Sequence, residues 1–224
     1  VVDQHIYASV MHDTMLDLAS EGALRDTLGR PRRRWSGYAD LAHAAQARWG
    51  IEYALFCDRQ GFSRVVQVVV RSPDARINLG DLHAEHARQS ARLSEKLRYG
   101  RARFAPGFAC DIIAAEIRPI EKNGDVLDFH FHLAVRASAG NLMAMAAYFS
   151  RSNWNWWNPA IAGDAELPSD PGQLASYIGK GLAHALKPAA LDCAFSPGNL
   201  AVLHQQSRGL AMTRTTGAFR VWKA

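Results

Sequence analysis

Two histidines set two residues apart in an alternating apolar run, Asp128-Phe129-His130-Phe131-His132-Leu133-Ala134-Val135, are the side chains of this 224-residue chain best placed to do chemistry. In an extended strand successive side chains point to opposite faces. Phe129, Phe131, Leu133 and Val135 therefore share one face, and His130 and His132 share the other. A lone strand histidine is more often packed or half-exposed than a ligand, so the pair needs support from elsewhere. The preceding segment supplies it. Asp111 to Ile120 is β-prone, and Glu121-Lys122-Asn123-Gly124-Asp125 carries the Asn-Gly pair that favours a tight turn between antiparallel strands. Ile113, Ala115 and Ile117 must then lie with Phe129, Phe131 and Leu133, because a slip of one residue would turn the whole apolar set outward. That register sets Glu116 beside the imidazoles and asks for a three-residue loop or a bulge at the turn. Two imidazoles and a carboxylate suit a divalent cation with positions left open for substrate oxygens. Mn²⁺ or Mg²⁺ acting on a phosphate fits, and Zn²⁺ is also compatible.

A second group lies downstream, in Gln173-Leu174-Ala175-Ser176-Tyr177-Ile178-Gly179-Lys180 and the residues after it. Pro171 and Gly172 open the segment, Asp170 is placed as an N-cap, and Leu174, Ile178 and Leu182 recur at helical spacing. Tyr177 and Lys180, three apart, project from neighbouring positions and could meet one anion. A tyrosine hydroxyl is a poor nucleophile near neutrality, with a pKa of about 10, unless a cation lies close by. The same spacing is also what a half-buried tyrosine beside a solvated lysine would give.

The order of the two groups resembles the HUH endonuclease superfamily, in particular its rolling-circle replication initiators with a single catalytic tyrosine. Val65 to Val70 is similar to the family's upstream strand, Phe129 to Leu133 to its histidine strand, and Leu174 to Lys180 to its tyrosine helix. A tail from Gln206 to Arg220, with Arg208, looks like the arginine-rich end of such initiators. The resemblance implies a ferredoxin-like core, a metal held by Glu116, His130 and His132, and attack by Tyr177 assisted by Lys180. It implies nicking of single-stranded or extruded plasmid origin DNA, leaving a 5′-phosphotyrosine and a free 3′ hydroxyl. Host replication proteins such as a helicase, and a bacterial cytoplasm, follow as expectations. Gln173 stands where some initiators carry a carboxylate one turn before the tyrosine, so a second cleavage would need strand rejoining or another subunit's tyrosine. Other readings are a single-tyrosine HUH transposase or a relaxase, although relaxases place the tyrosine ahead of the histidines. From other classes come a DNA-binding module that does not cleave, and a small-molecule metal hydrolase in which Tyr177 is structural.

Composition agrees with a polyanionic substrate without requiring one. The net charge is +5, which favours polyanion binding. Arg32, Arg33 and Arg34 concentrate the charge, with Trp35 available for stacking. Trp154, Trp156 and Trp157 lie within four residues. Tryptophan is usually largely buried, so core packing is their first reading, with one ring left to face a groove. Arg118 is a further candidate DNA contact in the hairpin. His83 and His86 are expected on the solvated face of a helix near 81–99 that ends at Gly100. Three widely spaced cysteines suggest neither a zinc knuckle nor a disulfide framework. No apolar run reaches membrane-span length, and no signal-peptide pattern opens the chain. A start at Val1 rather than Met is what a fragment or trimmed domain would show.

The expected architecture is α+β: an antiparallel sheet from strands near 51–57, 64–70, 110–120 and 126–136. Helices near 81–99, 140–150 and 172–187 would pack mainly on one face. Residues 1–50 read as a helical accessory region, and 51–224 as the catalytic domain, continuous with it or separate.

Overall fold

The structure is a computed structural model that describes residues 39–62, 65–158, 170–179 and 193–224, with the first helix's side chains from residue 47 onward. In chain order the elements are α1 (Ala39–Gln60), β1 (Val66–Arg71), β2 (Arg76–Asn78), α2 (Leu82–Arg103), β3 (Ala109–Pro119) and β4 (Val126–Arg136). There follow α3 (Ala139–Ser150), β5 (Asn155–Trp157), α4 (Pro171–Ile178), α5 (Pro197–Gln206), β6 (Thr213–Thr215) and α6 (Gly217–Lys223). All strand pairings are antiparallel, in the order β5-β1-β4-β3-β6, with β2 beside the start of β4. The run β1-α2-β3-β4-α3-β5 occupies the sheet in the order fourth, first, third, second, which is the split βαβ arrangement of ferredoxin-like folds.

Alternation along β3 and β4 sorts the sheet into two faces. Ile113 pairs with Leu133, Ala115 with Phe131 and Ile117 with Phe129, the expected apolar set in the expected register. This face is covered by Leu93 and Leu97 of α2, Leu142, Met145 and Phe149 of α3, and Leu200 and Leu203 of α5. The other face carries a smaller cluster at one end, where Tyr53 and Phe56 of α1, Leu174 and Ile178 of α4, and Phe219 of α6 cover Ile112, Ala114 and Ala134. The main helical layer is thus one-sided as expected, and α1, α4 and α6 add a partial second layer that leaves the middle of the sheet's other face for polar groups.

Several elements differ from expectation. Residues 51–57 are helix, not strand: Gly50, Tyr53, Phe56 and Cys57 are buried at helical spacing while Ile51 and Leu55 are exposed. The anticipated boundary at residue 50 consequently falls inside α1. The α2 helix passes through Gly100, because a Cβ there would stand 2.8 Å from the Tyr148 ring and 2.9 Å from the Met145 sulfur, so the missing side chain lets α3 approach. His86 is buried rather than solvated, edge-on to Phe129 with ring centroids 6.0 Å apart, because it follows Leu82 on the core-facing line of α2; His83 is exposed as expected.

The bulge lies at Asp111, where the β3–β4 register shifts, and not at the turn. It turns a fully buried carboxylate inward, where Asp111 accepts from Tyr53 Oη at 2.8 Å and from Arg136 Nε and Nη2 at 2.5 and 2.9 Å. Its carbonyl accepts from the Thr216 amide at 2.8 Å, so one residue ties α1, β4 and the start of α6 together. Burial is the first cause that pushes the Tyr53 hydroxyl far above its ordinary pKa, and the Asp111 charge is the second.

Candidate metal centre

Register alone brings the three predicted ligands together. Glu116 stands directly opposite His130, and His132 is one pleat along the same face. One ligand atom from each of Glu116, His130 and His132 falls within 4.8 Å of the others. His132 Nε2 lies 2.7 Å from Glu116 Oε2, and His130 Nε2 3.6 Å from Glu116 Oε1. Both imidazoles are nearly buried, at 8% and 7% exposure, while Glu116 is partly open. This cluster could hold a metal ion.

The distal nitrogens of the histidines are held as well. His130 Nδ1 lies 3.3 Å from Asp128 Oδ2, and Arg71 Nη2 donates to that same oxygen at 2.6 Å. Burial alone would raise the Asp128 carboxyl, but the hydrogen bond and charge of His130, with Arg71, outweigh it and hold the group below the usual carboxylate range. His132 Nδ1 is 2.6 Å from Gln67 Nε2 on β1. The amide oxygen Gln67 Oε1 is buried without a hydrogen-bond partner among the described residues. Rotating that amide would set Oε1 to accept from Nδ1–H of His132, freeing its Nε2 lone pair for a cation, so the donor set fits a bound metal. Gln67 and Arg71 escaped the sequence reading because they contribute from a strand sixty residues away. Their only local signal was position, since in β1 they alternate with Val66, Val68 and Val70.

The helix α4 brings Tyr177 to this face. Asp170 caps it as expected, accepting from the Gln173 amide at 2.8 Å. The helix lies close against α1: a Cβ on Gly50 would fall 2.9 Å from the Gly172 carbonyl, and one on Gly172 3.1 Å from Ala54. Two glycines at one crossing let the backbones approach. The α1 helix, whose first part belongs to the region expected as an accessory, is therefore what seats the helix that carries Tyr177. Tyr177 is half-buried, its ring edge-on to His132 with centroids 6.2 Å apart. Gln173 is exposed one turn earlier. Lys180, and likewise Arg32, Arg33, Arg34 and Trp35, lie outside the described residues.

The tryptophan cluster divides. Trp154 is buried at 2% exposure and Trp156 packs against Phe149 and Phe108 in the main core, the packing that was their first reading, so these two rings are turned inward and away from a DNA contact. Trp157 points the other way. It pairs with Val69, which pairs with His132, so it stands on the metal-site face at the sheet's edge with 41% exposure. Arg118 is exposed on the same face, one pleat beyond Glu116. Arg208 is exposed after α5, whose apolar side packs on the opposite face, so it is not brought to this site. No helix among the described residues is long and apolar enough to cross a membrane. Compared with protein-family models, with curated proteins and with solved structures, the chain finds no match in any of the three.

Proposed function

We propose that this protein nicks single-stranded or extruded DNA, as a rolling-circle plasmid replication initiator does, using Tyr177 as nucleophile beside a metal held by Glu116, His130 and His132. The observation that carries the reading is the Tyr177 ring set against one of three converging ligands. Tyr177 packs against the edge of the smaller apolar cluster while its ring faces His132, and a metal-ligand triad beside it is suited to a phosphate.

When bound, Mn²⁺ or Mg²⁺ would polarise and orient the scissile phosphate. The chain's own groups do the rest. Glu116, His130 and His132 supply the ligand atoms, while Asp128 and Gln67 fix the ring orientations. The Tyr177 oxygen forms a bond to phosphorus as the bond from phosphorus to the 3′ oxygen breaks. The phenolic proton ends on the departing 3′ oxygen, leaving a 5′ phosphate ester on tyrosine. Trp157, on the same face, offers a ring for a neighbouring base and Arg118 a cation for its backbone.

The test is incubation with end-labelled hairpin oligonucleotides and Mn²⁺, followed by denaturing electrophoresis. A covalent protein–DNA adduct is expected, and it should vanish in Tyr177→Phe and in His130→Ala. Cleavage that survives Tyr177→Phe would make water the nucleophile and overturn the tyrosine step.

A further inference from the structure

The outward side of α2 carries a line of cations that the metal-site face does not use. Arg88, Arg92, Lys96 and Arg103 recur at three- and four-residue multiples and form one stripe along the helix. The first two are engaged by Asp74 and Glu85. Beyond them the stripe changes character. No ion pair ties Lys96, Arg103 or Arg151 to a carboxylate among the described residues.

Lys96 donates instead to Ser152 Oγ at 2.6 Å, and this end of the stripe is also aromatic. Tyr99 and Phe104 are 50% and 38% exposed, and with Tyr148 they form a group with ring centroids 5.2 to 6.1 Å apart. Lys96 Nζ sits 5.1 Å over the Tyr148 ring, and the Arg151 guanidinium 6.0 Å over Phe104. A contiguous patch of exposed large rings is a common mark of an interaction site. Gly100 makes the group possible, since it lets Tyr148 lie against α2.

We infer that this surface, made by Lys96, Tyr99, Arg103, Phe104, Tyr148 and Arg151, binds single-stranded nucleic acid independently of the metal-site face. Exposed rings interleaved with cations match a polyanion whose bases are unpaired: phosphates meet the guanidinium and ammonium groups, and bases lie on the rings. A duplex would use the cations and leave the rings in water. The surface lies on the helical layer behind the sheet, so a strand bound here is a different segment from one at His130 and His132. In a protein that opens a duplex, it suits the strand that is not being cut.

Fluorescence anisotropy of the full chain tests this, with a labelled oligothymidylate of about 12 nucleotides in EDTA. Arg103→Gln with Arg151→Gln should weaken binding about tenfold and reduce the slope of log affinity against log salt by about 1.4, near 0.7 for each lost phosphate contact. Tyr99→Ala with Phe104→Ala should weaken it about fivefold or more, and Arg103→Lys with Arg151→Lys should largely restore the parental affinity. His132→Ala should bind the probe as the parent does while forming no adduct, and the surface variants should still form adducts. Failure of nicking and failure of this surface are thus read separately. Unchanged affinity in both double variants, or an unlabelled duplex competing as well as the single strand, would overturn the inference.

Discussion

Which nitrogen of His132 is available for a cation depends on Gln67. A neutral imidazole has one donor and one acceptor nitrogen, and the partner at Nδ1 selects between them. Gln67 is buried, 2.6 Å from Nδ1, and its amide can present either an oxygen or an NH₂ group. Presenting the oxygen fixes the tautomer with a free Nε2. Gln67→Leu removes that choice at nearly constant volume. Loss of such a partner commonly costs ten- to a hundredfold in metal affinity, so Mn²⁺ binding by titration calorimetry should weaken by about that factor. Gln67→Glu, which keeps an acceptor for Nδ1–H, should recover most of it. Equal Mn²⁺ affinity in Gln67→Leu and the parent would show that the amide does not position the ring.

At the scale of elements, the β3–β4 hairpin sets the ligand register, and its turn is the point to test. Asn123 and Gly124 both have positive φ, at 60° and 75°, and a Cβ on Gly124 would stand 2.4 Å from the Phe195 ring. Gly124→Ala should therefore lose about 2 kcal/mol in urea unfolding, combining backbone strain with displacement of Phe195; a loss below about 0.5 kcal/mol would mean that the turn relaxes freely. The hairpin was legible in the sequence because one-sided burial makes a slip of one residue costly, and that is why Glu116 could be placed opposite His130. The second half of α1 was not, although its first half was expected as helix. Residues 51–57, Ile-Glu-Tyr-Ala-Leu-Phe-Cys, form a short apolar run that passes for a buried strand, and only contacts with α4 and α6 reveal that Tyr53 and Phe56 are the buried pair. The strands β5 and β6, three residues each, are too short to carry a period, so the direction of Trp157 emerges only from its pairing with Val69. Gln67 and Arg71 belong to the same class of information: their strand was readable, their partners sixty residues on were not.

Across the whole molecule the sheet separates a polar, site-bearing face from a closed apolar layer, and in that layer His86 should report on pH. His86 is buried on α2 with Phe129 against it. Burial, then the positive charge of Arg214 and the neighbouring His83, push its pKa down to about 4. An unfolded histidine titrates near 6.5. The unfolded chain therefore takes up the proton first as pH falls, so the contribution is fully present above pH 6.5 and is lost as pH drops through 4. A shift of about 2.5 units corresponds to about 3 kcal/mol. Urea unfolding between pH 7.5 and pH 4 should show the parent losing about 3 kcal/mol more than His86→Gln, which keeps a donor for the Ala211 backbone and does not titrate. His86→Gln is expected to be less stable than the parent at pH 7.5 and to close that gap steadily below pH 6.5. Parallel curves for the two proteins across this range would mean that His86 titrates normally in the folded state, and that the layer behind the sheet is open to water.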